Sequence, residues 1–427
     1  MHILHTAPAA PDLVADSQPR LVVADWQTKW IICAPLIGAT VLSKFAIPPL
    51  GAQGFGLAFP LIAMAMLWGL TTSRLQFDGR RLLLFCVVLA ILGMMQVLRG
   101  SEFSMSSVAL MAVLGFSFVV SGSSDAYDNE KVLEFFRDLT FLIAGIGILQ
   151  AIALRIVGTQ LAFPIEHYIP QAFLTQGYNN VTPLSYGSEI FKANGVFMLE
   201  PSIFSQLTAI GLMAELCGKS RLLRLPVYAA ALIASYSGTG ILILAVTLPM
   251  YGLLYRRWQL VLPAMVAIPL LVIFAEPLHL DFLVNRTSEF NNTGSSGFAR
   301  FVGWRELFAD RLWNSPTHAL FGNGAGSFLT ESVGYSAAQM SYSKIIFEFG
   351  VLGAVLYFAF IFYCMLSSRA PVVVRVAVLV CYFLNGPYSP TVAGIGLTLL
   401  MWPGGQSRSV ETRMRAARKL RAGLHAA

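Results

Sequence analysis

The chain has 427 residues, 56% of them hydrophobic and only 12% charged, with a formal net charge of +7. A mean hydropathy of +0.67 excludes a stack of soluble domains and makes lipid the main solvent. The basic residues stand in short clusters beside apolar segments rather than on one continuous face, which speaks against nucleic acid as a partner and for membrane topology.

The first 25 residues are polar and Pro/Ala-rich, without a short apolar stretch followed by a small-residue cleavage site. No removable signal peptide is expected, and the first helix, starting near Trp26 to Trp30, serves as its own insertion signal. Crossings of roughly 17–25 apolar residues then fall near 30–48, 54–70, 82–98, 106–122, 139–154, 202–217, 225–236, 239–255, 259–275, 343–365, 376–388 and 390–403. The sequence thus predicts an all-α, polytopic membrane protein of about 12 transmembrane helices, folded as a single membrane domain over 1–427. Between Arg224 and Arg256 the chain must go out and back. Ser237-Gly238-Thr239-Gly240 supplies a turn for two short or tilted helices, with one long tilted helix as the alternative. All five cysteines (Cys33, Cys86, Cys217, Cys364 and Cys381) lie in or at the edge of apolar runs, so neither long polar segment can hold a disulfide.

Orientation follows from Lys and Arg in short loops. Arg74, Arg80 and Arg81, then Lys131 and Arg137, Lys219, Arg221 and Arg224, Arg256 and Arg257, and Arg369 and Arg375 mark the cytoplasmic side. The basic tail 404–427 joins them, as a topology anchor that also suits anionic membrane lipid. Two long segments, 155–201 and 276–342, are then expected outside, as large periplasmic loops. Loops of this length in an otherwise economical membrane protein are more often functional than idle.

The first loop ends in Lys192-Ala193-Asn194-Gly195-Val196-Phe197-Met198-Leu199-Glu200-Pro201-Ser202. Glu200 either complements a helix N-terminus or stands at the membrane face as a general base toward a sugar hydroxyl. In the second loop FARFVGWRELFADRLW has helical spacing, which predicts an interfacial amphipathic helix with Arg300 and Arg311 on one face. Arg305 falls on another side with Glu306, as a local ion-pair partner. Two co-facial arginines either snorkel or bind a lipid-linked diphosphate through bidentate, charge-assisted bonds. Phe321-Gly322-Asn323-Gly324-Ala325-Gly326-Ser327-Phe328 is either a plain glycine-rich turn or a phosphate-binding loop, without the strand and GK[ST] of a nucleotide site. His167, His279 and His318 lie in the outer loops without zinc-type spacing, so no metal site is expected.

In Arg300, Trp304, Pro316, Gly322, Gly324 and Phe347-Glu348-Phe349-Gly350-Val351-Leu352-Gly353 the chain resembles the bacterial O-antigen polymerase and O-antigen ligase superfamily over about 190–365, in the manner of exopolysaccharide (xanthan-like gum) polymerases. NGVFMLEPSIFSQL and SYSGTGILIL also look like segments of that family. The resemblance implies an undecaprenyl diphosphate-linked oligosaccharide as donor on the outer face of the inner membrane, with no metal, nucleotide sugar or other cofactor. Three positions depart from the family: Gln339 stands where ligases carry a histidine, Gly238 where an arginine is common after the broken-helix serine, and Lys192 where an arginine is often found. The missing histidine argues against the ligase branch.

What the resemblance then implies is a metal-independent glycosyltransferase that polymerises repeat units at the periplasmic face. Arg300 and, after it, Arg311 are expected on the diphosphate, with Lys192 and Arg305 assisting. Glu200 is expected as the base, Trp304 stacking on sugar, and His167 and His318 as further substrate-binding residues. A flippase and chain-length or export proteins are expected as further partners. The alternatives are an O-antigen ligase and a lipid-linked oligosaccharide flippase or transporter, the latter expected to show paired mid-membrane charges and repeated halves.

Overall fold

The structure is a computed structural model and describes residues 26–48, 55–99, 103–123, 127, 129–184, 188–218, 221–263, 290–293, 295–386 and 389–402. Helices dominate. In chain order they are α1 (Trp26–Ala39), α2 (Ala58–Thr71), α3 (Gly79–Arg99), α4 (Met105–Phe116), α5 (Asn129–Ile156), α6 (Thr159–Ala162), α7 (Pro164–Tyr168), α8 (Pro201–Cys217) and α9 (Leu225–Ala234). There follow α10 (Gly238–Tyr255), α11 (Ser296–Phe301), α12 (Gly303–Leu307), α13 (Pro316–Phe321), α14 (Ser327–Glu331), α15 (Ser341–Leu366), α16 (Val372–Phe383) and α17 (Pro390–Gly396). Strands β1 (Ala46–Ile47) and β2 (Phe55–Gly56) form one antiparallel pair, and β3 (Leu75–Phe77) and β4 (Val120–Gly122) another.

Among the described residues four helices, α3, α5, α10 and α15, are long and apolar enough to cross a membrane. The residue counts of 21, 28 and 18 for α3, α5 and α10 correspond to about 32, 42 and 27 Å at 1.5 Å per residue, while the 26 residues of α15 are interrupted by a kink at Gly350. The α3 face bearing Leu83, Val87, Met94, Val97 and Leu98 is open to the surroundings, as are Leu142, Leu149 and Ile152 of α5. Such faces suit acyl chains rather than water, and they mark a helical membrane protein.

Helix α8 is the centre, buried along nearly its whole length and packed against α5, α9, α10 and α16. It carries polar groups that lipid would not satisfy, and its neighbours satisfy them instead. The Ser205 hydroxyl donates to the Ser237 carbonyl and accepts from the Gly240 N–H, while Thr239 Oγ1 donates to the Ser202 carbonyl. Asn385 Nδ2 donates to Gln206 Oε1 from beyond α16. The close approach of α10 requires glycine at 240, where an added Cβ would stand 2.4 Å from the Ser205 carbonyl oxygen.

The two-helix reading of 225–255 holds: α9 and α10 are separated at Ser235–Ser237, with Tyr236 at φ +46°. Helix α5 begins at Asn129, well before the apolar run predicted from 139, so Lys131 and Arg137 ride on its first turns instead of a loop. Most of the predicted crossing 259–275 and the tail 404–427 lie outside the described residues, as do 276–289 of the second long loop.

Contacts sort the chain into two ends. At one, Arg81 meets Ser367, Asn129 meets the Arg369 carbonyl, Arg224 meets Asp138, and Tyr251 meets the Leu216 carbonyl. At the other, the residues of both long polar segments converge on the starts of α8 and α15. The Ala193 N–H donates to the Ala234 carbonyl, the Ser104 N–H to the Ala325 carbonyl, and the Tyr342 hydroxyl to the Arg300 carbonyl.

Candidate functional site

Glu200 immediately precedes α8, and Pro201 opens the helix where its missing N–H costs nothing. The Glu200 carboxylate makes no capping bond to the helix; it turns to the second polar segment. Glu200 Oε2 accepts from Arg300 Nη2 at 3.0 Å and from Ser202 Oγ at 2.9 Å, and Arg300 Nη2 also donates to Ser202 Oγ at 3.0 Å. Two side chains 100 residues apart thus close a three-membered polar ring around one hydroxyl. The pair is mostly shielded, with side-chain exposures of 13% for Arg300 and 21% for Glu200. Among the described residues, Glu200 Oε1 and the Nε–Nη1 edge of Arg300 take no hydrogen bond. One acceptor and one two-pronged donor therefore remain for a ligand. Tyr178 of the first polar segment is held above the usual tyrosine range, first by burial and then by the Glu200 charge.

The turn that delivers Glu200 is clamped from three sides. Gln150 of α5 accepts at Oε1 from the N–H groups of Asn194 (3.0 Å) and Val196 (3.1 Å), and donates from Nε2 to Asn194 Oδ1. Lys44 donates to the Val196 carbonyl and pairs with Glu166 of α7, while Ser43 Oγ donates to the Phe197 carbonyl at 2.8 Å. The clamp holds Val196 at φ +65°, a left-handed conformation that a β-branched residue strongly resists. Val196→Gly should therefore leave thermal stability in detergent unchanged or raise it by up to about 2 kcal/mol, a strain of ~1–3 less the backbone entropy of ~0.5–1. A lower melting temperature would mean that Val196 packing outweighs the strain.

The predicted interfacial helix with Arg300 and Arg311 on one face is not formed. The chain breaks at Val302, resumes as α12 and widens into a π-type turn over Phe308–Leu312. Next to the break the backbone packs closely: an added Cβ at Gly303 would come within 2.7 Å of the Tyr335 carbonyl oxygen. Leu307, Phe308 and Leu312 bury themselves with Phe328 and Phe347 in a small core of their own. Arg311 pairs with Glu331 at 3.3 Å and is held above its ordinary pKa by the Tyr335 hydroxyl and then the Glu331 charge.

Arg305 lies 5.7 Å over the Trp304 ring, and among the described residues it has no ion pair with Glu306. The Trp304 ring packs edge-on against Phe308 and Tyr342. Tyr342 in turn holds the Arg300 carbonyl at 2.6 Å, so Trp304 supports the site from behind. Lys192 is half-buried beside the Pro183–Phe191 bridge, its N–H donating to the Thr182 carbonyl. His167 is exposed on α7 and His318 half-buried on α13; among the described residues neither bonds to Glu200 or Arg300.

The glycine-rich segment is a packing turn. Its N–H groups are largely used: Gly322 donates to the His318 carbonyl, Asn323 and Gly324 to the Phe347 and Glu348 carbonyls, Ala325 to Gln96 Oε1, and Ser327 to the Gly324 carbonyl. Gly350 at φ +67° kinks α15 there, and an added Cβ at Gly322 would stand 2.4 Å from the Glu348 carbonyl. Sequence reasoning missed Ser202, Gln150 and Tyr342. Only the Ser202 position, two residues after Glu200 at a helix start, offered a local signal.

Fold and site together define a helical membrane protein with a partly shielded Arg–Glu–Ser cluster where its two long polar segments meet. No family model, curated protein or solved structure matches the chain.

Proposed function

We propose that this chain polymerises undecaprenyl diphosphate-linked oligosaccharide repeat units into exopolysaccharide or O-antigen, as a multi-pass protein of the bacterial inner membrane working at its periplasmic face. The observation that carries the reading is the meeting of Arg300 and Glu200 at 3.0 Å, at the end of the bundle away from the short basic loops. The free edge of Arg300 takes the donor diphosphate in bidentate fashion, and Glu200 Oε1 takes the acceptor hydroxyl. As that hydroxyl loses its proton to Glu200, its oxygen forms the new bond to the anomeric carbon from the face opposite the diphosphate. The old anomeric carbon–oxygen bond breaks, its electron pair leaves on undecaprenyl diphosphate, and the anomeric centre inverts. Arg300 stabilises the charge that gathers on the leaving group.

A transporter would need ionisable groups free to exchange partners. The buried Lys344–Glu348 pair instead lies where the Asn323 and Gly324 N–H groups hold the Phe347 and Glu348 carbonyls, which suits a fixed structural element. Gln339, in place of the ligase histidine, favours a repeat unit over lipid A core as acceptor.

The test is the purified chain in detergent with lipid-linked repeat units alone. A polymer ladder with release of undecaprenyl diphosphate is expected. Transfer only to lipid A core would assign a ligase, and transbilayer movement of donor in vesicles without any ladder would assign a transporter. For sidedness, cysteine at Ser296 in whole cells is expected to react with a thiol reagent that does not cross the inner membrane. Reaction only after that membrane is opened would reverse the orientation.

A further inference from the structure

At the opposite end of the bundle, a cavity of about 580 Å³ is lined by Leu222, Arg256, Arg257, Trp258, Gln259 and Leu260. Arg256 ends α10 in the left-handed conformation, φ 54° and ψ 28°. Two consecutive arginines thus line one concave surface. Trp258 forms a fixed wall, its ring so close to Gly252 that an added Cβ would come within 2.8 Å.

The charges at this end are unevenly shared. Asp138 is taken by Arg221 and Arg224, and Glu215 by Arg224. Among the described residues, Arg256 and Arg257 have no carboxylate partner. Around the cavity the surface is apolar and open: Leu223 is 91% exposed, and Leu253, Leu254 and Leu262 are also exposed. A ligand that fits must bring negative charge to the cavity and acyl chains to the leucines.

We propose that this cavity binds the phosphodiester headgroup of an anionic phospholipid. A purely topological role for the two arginines needs no concave site and makes no distinction among anionic surfaces. A cavity lined by two arginines and a tryptophan does distinguish, because a headgroup phosphate fits the cationic concavity while its chains stay on the leucine surface. The inference is independent of the polymerase reading.

The experiment uses the full-length chain in mixed micelles and nanodiscs, with phosphatidylglycerol, phosphatidylcholine and inorganic phosphate as separate probes. Phosphatidylglycerol is expected to bind saturably and to raise the melting temperature of the unaltered protein, whereas phosphatidylcholine and inorganic phosphate leave it unchanged. The double variant Arg256→Gln/Arg257→Gln is expected to lose about 10- to 30-fold in phosphatidylglycerol affinity, the size for two cations at an anionic headgroup. Arg221→Gln, outside the cavity lining, should change it less than about 2-fold, since an exposed ion pair contributes little. Equal loss in the double variant and Arg221→Gln would reduce the effect to diffuse surface charge and overturn the proposal. Stabilisation by inorganic phosphate alone would overturn the lipid assignment, and equal stabilisation by phosphatidylcholine would remove the role of charge.

Discussion

Arg300→Ala is expected to abolish polymer formation in cells while the chain still inserts and accumulates. Removing the guanidinium leaves the developing diphosphate charge without its bidentate donor, a transition-state cost of about 2–4 kcal/mol by analogy with a lost oxyanion donor. Arg300→Lys should recover little, because one ammonium cannot hold Glu200, Ser202 and a phosphate fork at once. The ion pair raises a second possibility, that Arg300 acts only by holding Glu200 in place. Glu200→Gln separates the two. The amide keeps the size and can still accept from Arg300 and Ser202, but it cannot take a proton at neutral pH. If Glu200 is the base, transfer falls by roughly 10²–10⁴-fold while donor binding, read by retention of lipid-linked repeat unit, persists. If both variants polymerise normally, Arg300 and Glu200 form a structural clasp and the catalytic assignment falls. The double variant adds a further check: residues acting as one unit lose less together than the sum of their separate losses.

Glu348→Ala is expected to be more damaging to the molecule than any change at the Arg–Glu–Ser cluster. The Glu348 side chain is fully buried and paired with Lys344 one turn earlier. Its loss removes the carboxylate that neutralises Lys344 in a place water does not reach. Breaking a buried pair in this way costs about 3–5 kcal/mol, a large part of the stability of an ordinary domain. Detergent-solubilised protein should then unfold or aggregate, with little full-length chain in the membrane fraction. Gly322→Ala tests the same junction from the loop side, since its Cβ would meet the Glu348 carbonyl and its φ of +83° disfavours any side chain. Normal yield and melting temperature for both variants would show that the loop–helix junction is dispensable. This outcome differs from that at Arg300, where accumulation is expected to be normal and only product is lost.

Membrane character and the position of the polar segments were legible because they depend on local composition. Apolar runs long enough to cross lipid are read along the chain, and α10, α15 and the α9–α10 break fall where those runs and the Ser-Gly-Thr-Gly stretch put them. The start of α5 was not legible: helix formation continues past the apolar stretch to include the exposed Lys131 and the buried Arg137. The second polar segment was misread for a related reason. Helical spacing over Arg300 to Arg311 is a property of the sequence, but the chain breaks at Val302, beside a Gly303 packed on the Tyr335 carbonyl, and widens at Phe308–Leu312.

By itself the sequence determined that lipid is the main solvent, that helices carry the fold, and that Glu200 and Arg300 stand out in the two long polar segments. Only the tertiary structure decided that these two residues meet through Ser202, that Arg311 is held by Glu331 instead, and that the glycine loop holds the Phe347 and Glu348 carbonyls rather than a phosphate. Hydrophobic run length and period are written in neighbouring residues and survive any arrangement of the helices. Which carboxylate neutralises which arginine depends on chain segments brought together from 100 residues apart, and no local pattern records that choice.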